Sequence, residues 1–202
     1  MTRPKLTYFD MPVSRGEECR LAFALGGVDF EDHRIAREAW AAMKPTTPFG
    51  GLPMLEIEGH APIAQSNAIL AYIGRTYGLH PTDPVEAARH EAVMAHVEDL
   101  RAIVAHSTRY VDEATKVRVR EQLAETTIPA WAQCVEAQIG DGPFYAGTHP
   151  QVVDVKLYMG MRSFRRGVMD HIPATIFDAY PKLIRLYDAL ESHPAAQAWM
   201  KK

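Results

Sequence analysis

The sequence predicts an α/β domain over residues 1–78 and an all-helical domain over residues 85–202, joined by a linker at residues 79–84. Three observations carry this reading. Short strand-like and helix-like stretches alternate in the order β-α-β-α-β-β-α up to about residue 76. Beyond residue 85 the apolar repeats all have helical spacing. Between the halves, Gly78-Leu-His-Pro-Thr-Asp-Pro84 has the proline and glycine content of a connector.

Each element has a local reason. Lys5–Phe9 is strand-like, because Leu6, Tyr8 and Phe9 suit a pleated surface. Arg15–Leu25 reads as a helix with Cys19, Ala22, Phe23 and Gly26 on one face and Glu17, Glu18 and Arg20 near its start. Gly26-Gly27 ends it. Phe30–Ile35 is a second strand and Glu38–Met43 a short helix. Pro45, Pro48 and Gly50-Gly51 make a loop. Pro53–Ile57 and Ala61–Ile63 are strands about the Glu58-Gly59 turn, and Gln65–Arg75 is a helix with Ile69, Tyr72 and Ile73 on one face. In the second half, Val93, Val97, Leu100 and Val104 fall on one helical face. So do Leu157, Met161, Phe164 and Val168, and then Leu183, Leu186 and Leu190. Pro129 should kink or break the helical pattern from Lys116 to Gln138.

Composition excludes several functions. The 202 residues carry a formal charge of −3, which does not suit a nucleic-acid or anionic-membrane partner. The 9 histidines are scattered and no Cys/His cluster occurs, so no structural metal site is expected. Cys19 and Cys134 are far apart and belong to no C-x-x-C pair, which fits a reducing, cytoplasmic setting and not a dithiol reductase. No apolar run has the length of a membrane span.

Lys5-Leu-Thr-Tyr-Phe-Asp10, Glu31-Asp-His-Arg-Ile35, Trp40, Lys44, Pro48-Phe-Gly50, Leu52-Pro53 and Gln65-Ser66 together resemble the tyrosine-type cytosolic glutathione transferases. The likeness is strongest to the sigma class, which includes the haematopoietic prostaglandin D synthases. It is dense over residues 5–76; in the second half it rests on helix content, the Asp154 position and a Pro-Ala-Ala-Gln-Ala-Trp ending at Trp199. It implies a thioredoxin-like N-terminal domain that binds glutathione as co-substrate, a helical-bundle domain, a detoxification role and a homodimer.

The chemistry of the matched residues fits that expectation. A thiol titrates above neutral pH, and a phenol donating a hydrogen bond to sulfur favours the thiolate. Tyr8 is the candidate donor, and Arg15 resembles the arginine that supports the thiolate. Ser14 is the alternative activator, since other classes use a serine at the start of this helix; it would also make an N-cap, with Glu17 completing a capping box. Leu52-Pro53 resembles the family's cis-proline turn, whose backbone pairs with the cysteinyl part of glutathione. Gln65-Ser66, at a helix start, would hold the γ-glutamyl carboxylate. Trp40 and Lys44 would reach the glycine end, and Asp99 the γ-glutamyl amine across a dimer. Gly51 stands where the sigma pattern has a lysine, so its position in the glutathione site lacks that contact. Asp154 matches a capping-box acid, with Gln151 replacing the usual Ser or Thr.

The resemblance implies attack of the thiolate on a small apolar electrophile, in a pocket where Phe9, Met11, Val13, His106, Lys156 and Met159 are the expected lining. The large aromatic expected near His106 for prostaglandin isomerisation is absent. The alternative is a non-catalytic binding or scaffold protein on the same fold, which would have no need of Tyr8, Arg15, Pro53, Gln65 and Ser66 together. Phe49, on the loop between Pro48 and Gly50, is the candidate dimer lock.

Overall fold

In the computed structural model, which describes residues 3–201, the chain forms two compact units: Met1–Ala88 with His193–Lys202, and Arg89–Ser192. The outermost ends of the expected domains, residues 1, 2 and 202, lie outside the described residues. The first unit contains β1 (Lys5–Phe9), α1 (Ser14–Leu25), β2 (Glu31–Ile35), α2 (Trp40–Met43), β3 (Met54–Glu56), β4 (Ile63–Ala64) and α3 (Ser66–Tyr77). α4 (Pro84–Ser107) begins in the first unit and continues into the second. The second unit adds α5 (Glu113–Gln122), α6 (Ile128–Glu136), α7 (Val152–Arg165) and α8 (Pro181–Glu191). Finally α9 (Pro194–Met200) belongs to the first unit.

The sheet order is β2-β1-β3-β4, with β1 parallel to β2 and antiparallel to β3. Leu6 of β1 and Leu55 of β3 are fully buried. Cys19, Ala22 and Phe23 of α1 are buried in the same unit, as are Ile69, Leu70 and Ile73 of α3. Phe23 stacks on Phe30 at 4.6 Å, and Phe30 in turn meets Trp199 of α9 at 5.7 Å. That contact differs from the sequence boundary, which assigned residues 85–202 to one helical domain. No local pattern in α9 tells which unit its Trp199 will pack against. The charged start of α1 also departs from a solvated surface: Glu17, Glu18 and Arg20 are all buried.

In the second unit Val93, Val97, Leu100 and Val104 form the buried face of α4, as their spacing predicts. Gly160 of α7 lets the two helices approach, because a Cβ there would lie 2.9 Å from Val97 Cγ1. Leu157, Met161 and Phe164 are buried on α7, but Val168 lies beyond the helix end and is 71% exposed. The expected break at Pro129 is absorbed by a π-helical turn at Leu123–Thr127, between α5 and α6. Widening the turn accommodates a ring that has no N–H to donate.

Asp154 organises the start of α7. Its carboxyl accepts from Tyr145 N–H at 2.7 Å and from Gln151 N–H at 2.8 Å. The acid thus satisfies the backbone on both sides of the turn, although Gln151 replaces the usual Ser or Thr. Burial pushes the Asp154 pKa up to about 7, against the pull of the backbone N–H groups. Between its ordinary 3.8 and about 7, the folded chain therefore holds a proton that the unfolded chain has released, so Asp154's contribution to stability falls as pH rises through that window. Asp154→Asn removes this titration and leaves one N–H poorly matched. The variant is expected to be about 1–3 kcal/mol less stable at pH 5, with the deficit shrinking by pH 8. Guanidinium unfolding at the two pH values measures both effects.

Candidate active site

Strand register decides where the candidate residues meet. β1 pairs with β3 through Thr7↔Met54, and β3 with β4 through Met54↔Ala64. One residue beyond these partners come Tyr8, Pro53 and Gln65. Antiparallel pairing brings all three to the same end of the sheet, so three distant parts of the sequence form one row. The Leu52–Pro53 bond at this row is cis, as the sequence predicts.

Tyr8 is 7% exposed, and its ring lies directly against the backbone of α1. A Cβ at Gly16 would stand 2.0 Å from Tyr8 Cδ1, so only glycine permits this approach. The phenol is hydrogen-bonded to the Ser14 side chain. Burial raises the Tyr8 pKa above its usual 10.0; the Ser14 hydrogen bond and the Arg15 and Arg20 charges oppose that rise, while the Glu18 charge adds to it. At neutral pH the group is a protonated phenol with an O–H to give.

Ser14 departs from its expected capping role. Val13, in an extended conformation, takes the N-cap position, and Ser14 is the first helical residue with φ 61. The left-handed backbone at Ser14 is not the extended conformation that an N-cap residue adopts. Glu17 forms no capping box with it; its carboxylate accepts instead from Arg20 and Trp199. Gln65, at the N-cap of α3, has φ 71. Positive φ at a non-glycine residue costs about 1–3 kcal/mol, and both residues adjoin the candidate site.

The remaining first-unit residues flank the row. Ser66, buried at 3% exposure, opens α3, whose first-turn N–H groups and positive dipole end lie at this corner. Arg15 is half-buried beside Ser14. Trp40 is tied to the end of β1 by its edge contact with Phe9, at 5.8 Å. Lys44, Gly51 and Leu52 lie on the segment leading into Pro53; Lys44 is exposed, and the other two are half-buried. Phe9 and Met11 are half-buried, and Val13 is 47% exposed.

Four candidates lie in the second unit. Asp99 is exposed on α4 with its carboxylate 3.8 Å from His96 Nδ1, and His106 is exposed near the end of that helix. Lys156 and Met159, expected as lining, are instead buried core residues of α7, at 0% and 6% exposure. The Lys156 ammonium is neutralised by Glu98, which also accepts from Arg101 at 2.8 Å. A lysine so committed has no charge to offer an acceptor substrate. Elsewhere Glu113, Asp170 and His171 bring exposed ligand groups together, but Lys116 and Arg120 pair with Asp170 and make this an ion-pair network.

Sequence reading gave no site role to Gly16, Arg20 or Trp199 and cast Glu17 only as a helix cap. The only local trace was an excess of charge at the start of a helix that also carries core residues.

The chain matches the family model "Glutathione S-transferase, N-terminal domain" over residues 4–75 and "Glutathione S-transferase, C-terminal domain" over residues 98–202. It is 32% identical over 202 residues to the hematopoietic prostaglandin D synthase of Gallus gallus, covering 100% of this chain and 97% of that protein. It is 42% identical over 133 residues to glutathione S-transferase 1 of Ascaris suum, covering 64% and 62% of the two chains. A solved prostaglandin synthase D of Nilaparvata lugens superposes with a TM-score of 0.86 at 30% identity, covering 100% of this chain and 98% of that one.

Gly16→Ala tests the packing of Tyr8. Helix propensity alone would favour alanine by about 1 kcal/mol. The Cβ would collide with the ring, so the variant is expected to be about 1–3 kcal/mol less stable in chemical denaturation.

Proposed function

The chain belongs to the glutathione S-transferase family, and on that premise we propose that Tyr8 donates its phenolic hydrogen bond to the glutathione sulfur in an enzyme that directs the thiolate onto small apolar electrophiles. The observation that carries this reading is the row of Tyr8, cis-Pro53 and Gln65 at one end of the sheet, with the phenol held protonated. A thiolate accepting an O–H bond is stabilised relative to the thiol, and each unit by which its pKa falls is worth about 1.4 kcal/mol. The sulfur lone pair then forms the bond to the electrophilic carbon as the leaving group departs, or as a conjugated carbonyl takes up the charge.

The rest of glutathione follows the backbone. The Leu52 main chain pairs with the cysteinyl unit in the manner of an added strand. Ser66 and the start of α3 receive the γ-glutamyl carboxylate, with Gln65 beside it. Trp40 and Lys44 approach the glycine end, where Gly51 contributes backbone only. Arg15 supplies positive charge near the sulfur, and Ser14 orients the phenol rather than replacing it. Phe9, Met11 and Val13 give the first unit's apolar contribution to acceptor binding. No step in this scheme uses a metal. Among the described residues no helix is long and apolar enough to cross a membrane, and the proposed setting is the cytoplasm, in a detoxifying role.

The proposed assembly is a homodimer. Phe49 is 71% exposed, which leaves its ring available to a partner. In a twofold dimer each subunit would give one Phe49 and receive one, and the partner subunit's Asp99 would meet the γ-glutamyl amine.

Tyr8→Phe should lower turnover at least tenfold with glutathione affinity little changed, because the lost bond matters mainly to the anion. Ser14→Ala should do much less; a larger loss from Ser14→Ala than from Tyr8→Phe would reverse the assignment. For the assembly, sedimentation should show a dimeric wild type and a weakened dimer for Phe49→Ser. A monomeric wild type refutes the dimer, whereas an undiminished Phe49→Ser dimer refutes only the lock.

A further inference from the structure

The turn after β1 is tied to the C-terminal helix through two buried charges. Trp199 of α9 donates its indole N–H to Glu17 Oε1 at 2.8 Å. The other carboxylate oxygen of Glu17 accepts from Arg20 Nη1 at 3.2 Å. Arg20 is fully buried and Glu17 is 5% exposed. The same guanidinium donates to the main-chain carbonyls of Met11 at 3.0 Å and Phe9 at 3.1 Å. Its Nε–H goes to Asp32 Oδ1 at 2.8 Å, and its Cζ lies 5.7 Å from the centre of the Tyr8 ring. Arg20 thus grips the carbonyls of Phe9 and Met11, one and three residues beyond Tyr8, and its own orientation is fixed by two carboxylates.

We propose that Trp199 is a positioning residue for Tyr8, acting through Glu17 and Arg20 on the Phe9–Met11 turn. The inference rests on Tyr8 being the thiol activator. A guanidinium is a rigid planar fork, so turning it displaces every acceptor it holds. Glu17 Oε2 alone would let its carboxylate rotate about the Arg20 contact; the indole N–H on Oε1 removes that freedom. Loss of this one donor should therefore leave the fold in place and loosen the phenol's aim at sulfur. Catalytic hydrogen bonds are steeply sensitive to such misplacement.

The test replaces Trp199 with β-(3-benzothienyl)alanine, which keeps the shape and apolar area against Phe30 but has no N–H. Trp199→Phe serves as the genetically encoded comparison. The pH profile of kcat/KM for the electrophile at saturating glutathione, which reads the ionisation of the bound thiol, is measured for wild type, the isostere, Trp199→Phe, Tyr8→Phe and the doubly substituted protein. The expected result is a threefold to tenfold loss of kcat for the isostere, KM for glutathione within about twofold, and an upward shift of the profile's acidic limb, with no further shift when Tyr8 is already Phe. Thermal unfolding of the isostere close to that of wild type separates aim from stability. An unshifted profile for the isostere, in a protein where Tyr8→Phe does shift it, overturns the role of Trp199 and leaves Tyr8 as activator. An unshifted profile for Tyr8→Phe overturns both.

Discussion

The buried guanidinium of Arg20 is the contact from which the first unit takes its shape. Desolvating one such charge costs several kcal/mol unless partners surround it, and here Glu17, Asp32 and two main-chain carbonyls do so. The cluster joins α1, β2, the turn after β1 and, through Trp199, α9. Asp32 extends it outward, because its other oxygen accepts from Arg34 Nε at 2.7 Å. The turn after β1, which Asp10 N–H also joins to Ile35 O at 3.1 Å, is thereby held beside Tyr8.

Against that fixed turn, the ring of Tyr8 is set by an absence. Gly16 removes a side chain from α1 so that the aromatic face can lie on the helix backbone. The helix forfeits roughly 1 kcal/mol of propensity for this. The positive φ at Ser14 brings a hydroxyl to the phenol in place of a helix cap, and the same conformation at Gln65 precedes the buried Ser66. Both strained residues lie where ligand chemistry is proposed, which is where unfavourable backbone conformations tend to be retained.

The second unit obeys a different economy. Apolar faces on α4, α7 and α8 form its core, and two of its buried charged side chains are matched in place: Asp154 by backbone N–H groups, Lys156 by Glu98. Its two non-glycine residues with positive φ, Tyr110 and His171, lie in turns between helices. The unit's π-helical turn before Pro129 solves a local steric problem.

The sequence by itself determined the element order, because hydrophobic period, glycine stops and proline turns are local signals. Its resemblance to the transferases also marked Tyr8, Ser14, Arg15, Pro53, Gln65 and Ser66, which stand at strand ends and helix starts. Only the tertiary structure decided what joins them. Strand register, which depends on pairing between segments far apart in the chain, sets Tyr8, Pro53 and Gln65 in one row. The burial of Arg20 and Glu17 could not be read from their charge, since a charged residue near a helix start is ordinarily solvated and is drawn inward only when distant partners satisfy it. The same holds for Lys156, whose counter-charge lies on another helix, and for α9, whose place in the first unit rests on Trp199 meeting Phe30 and Glu17 across most of the length of the chain.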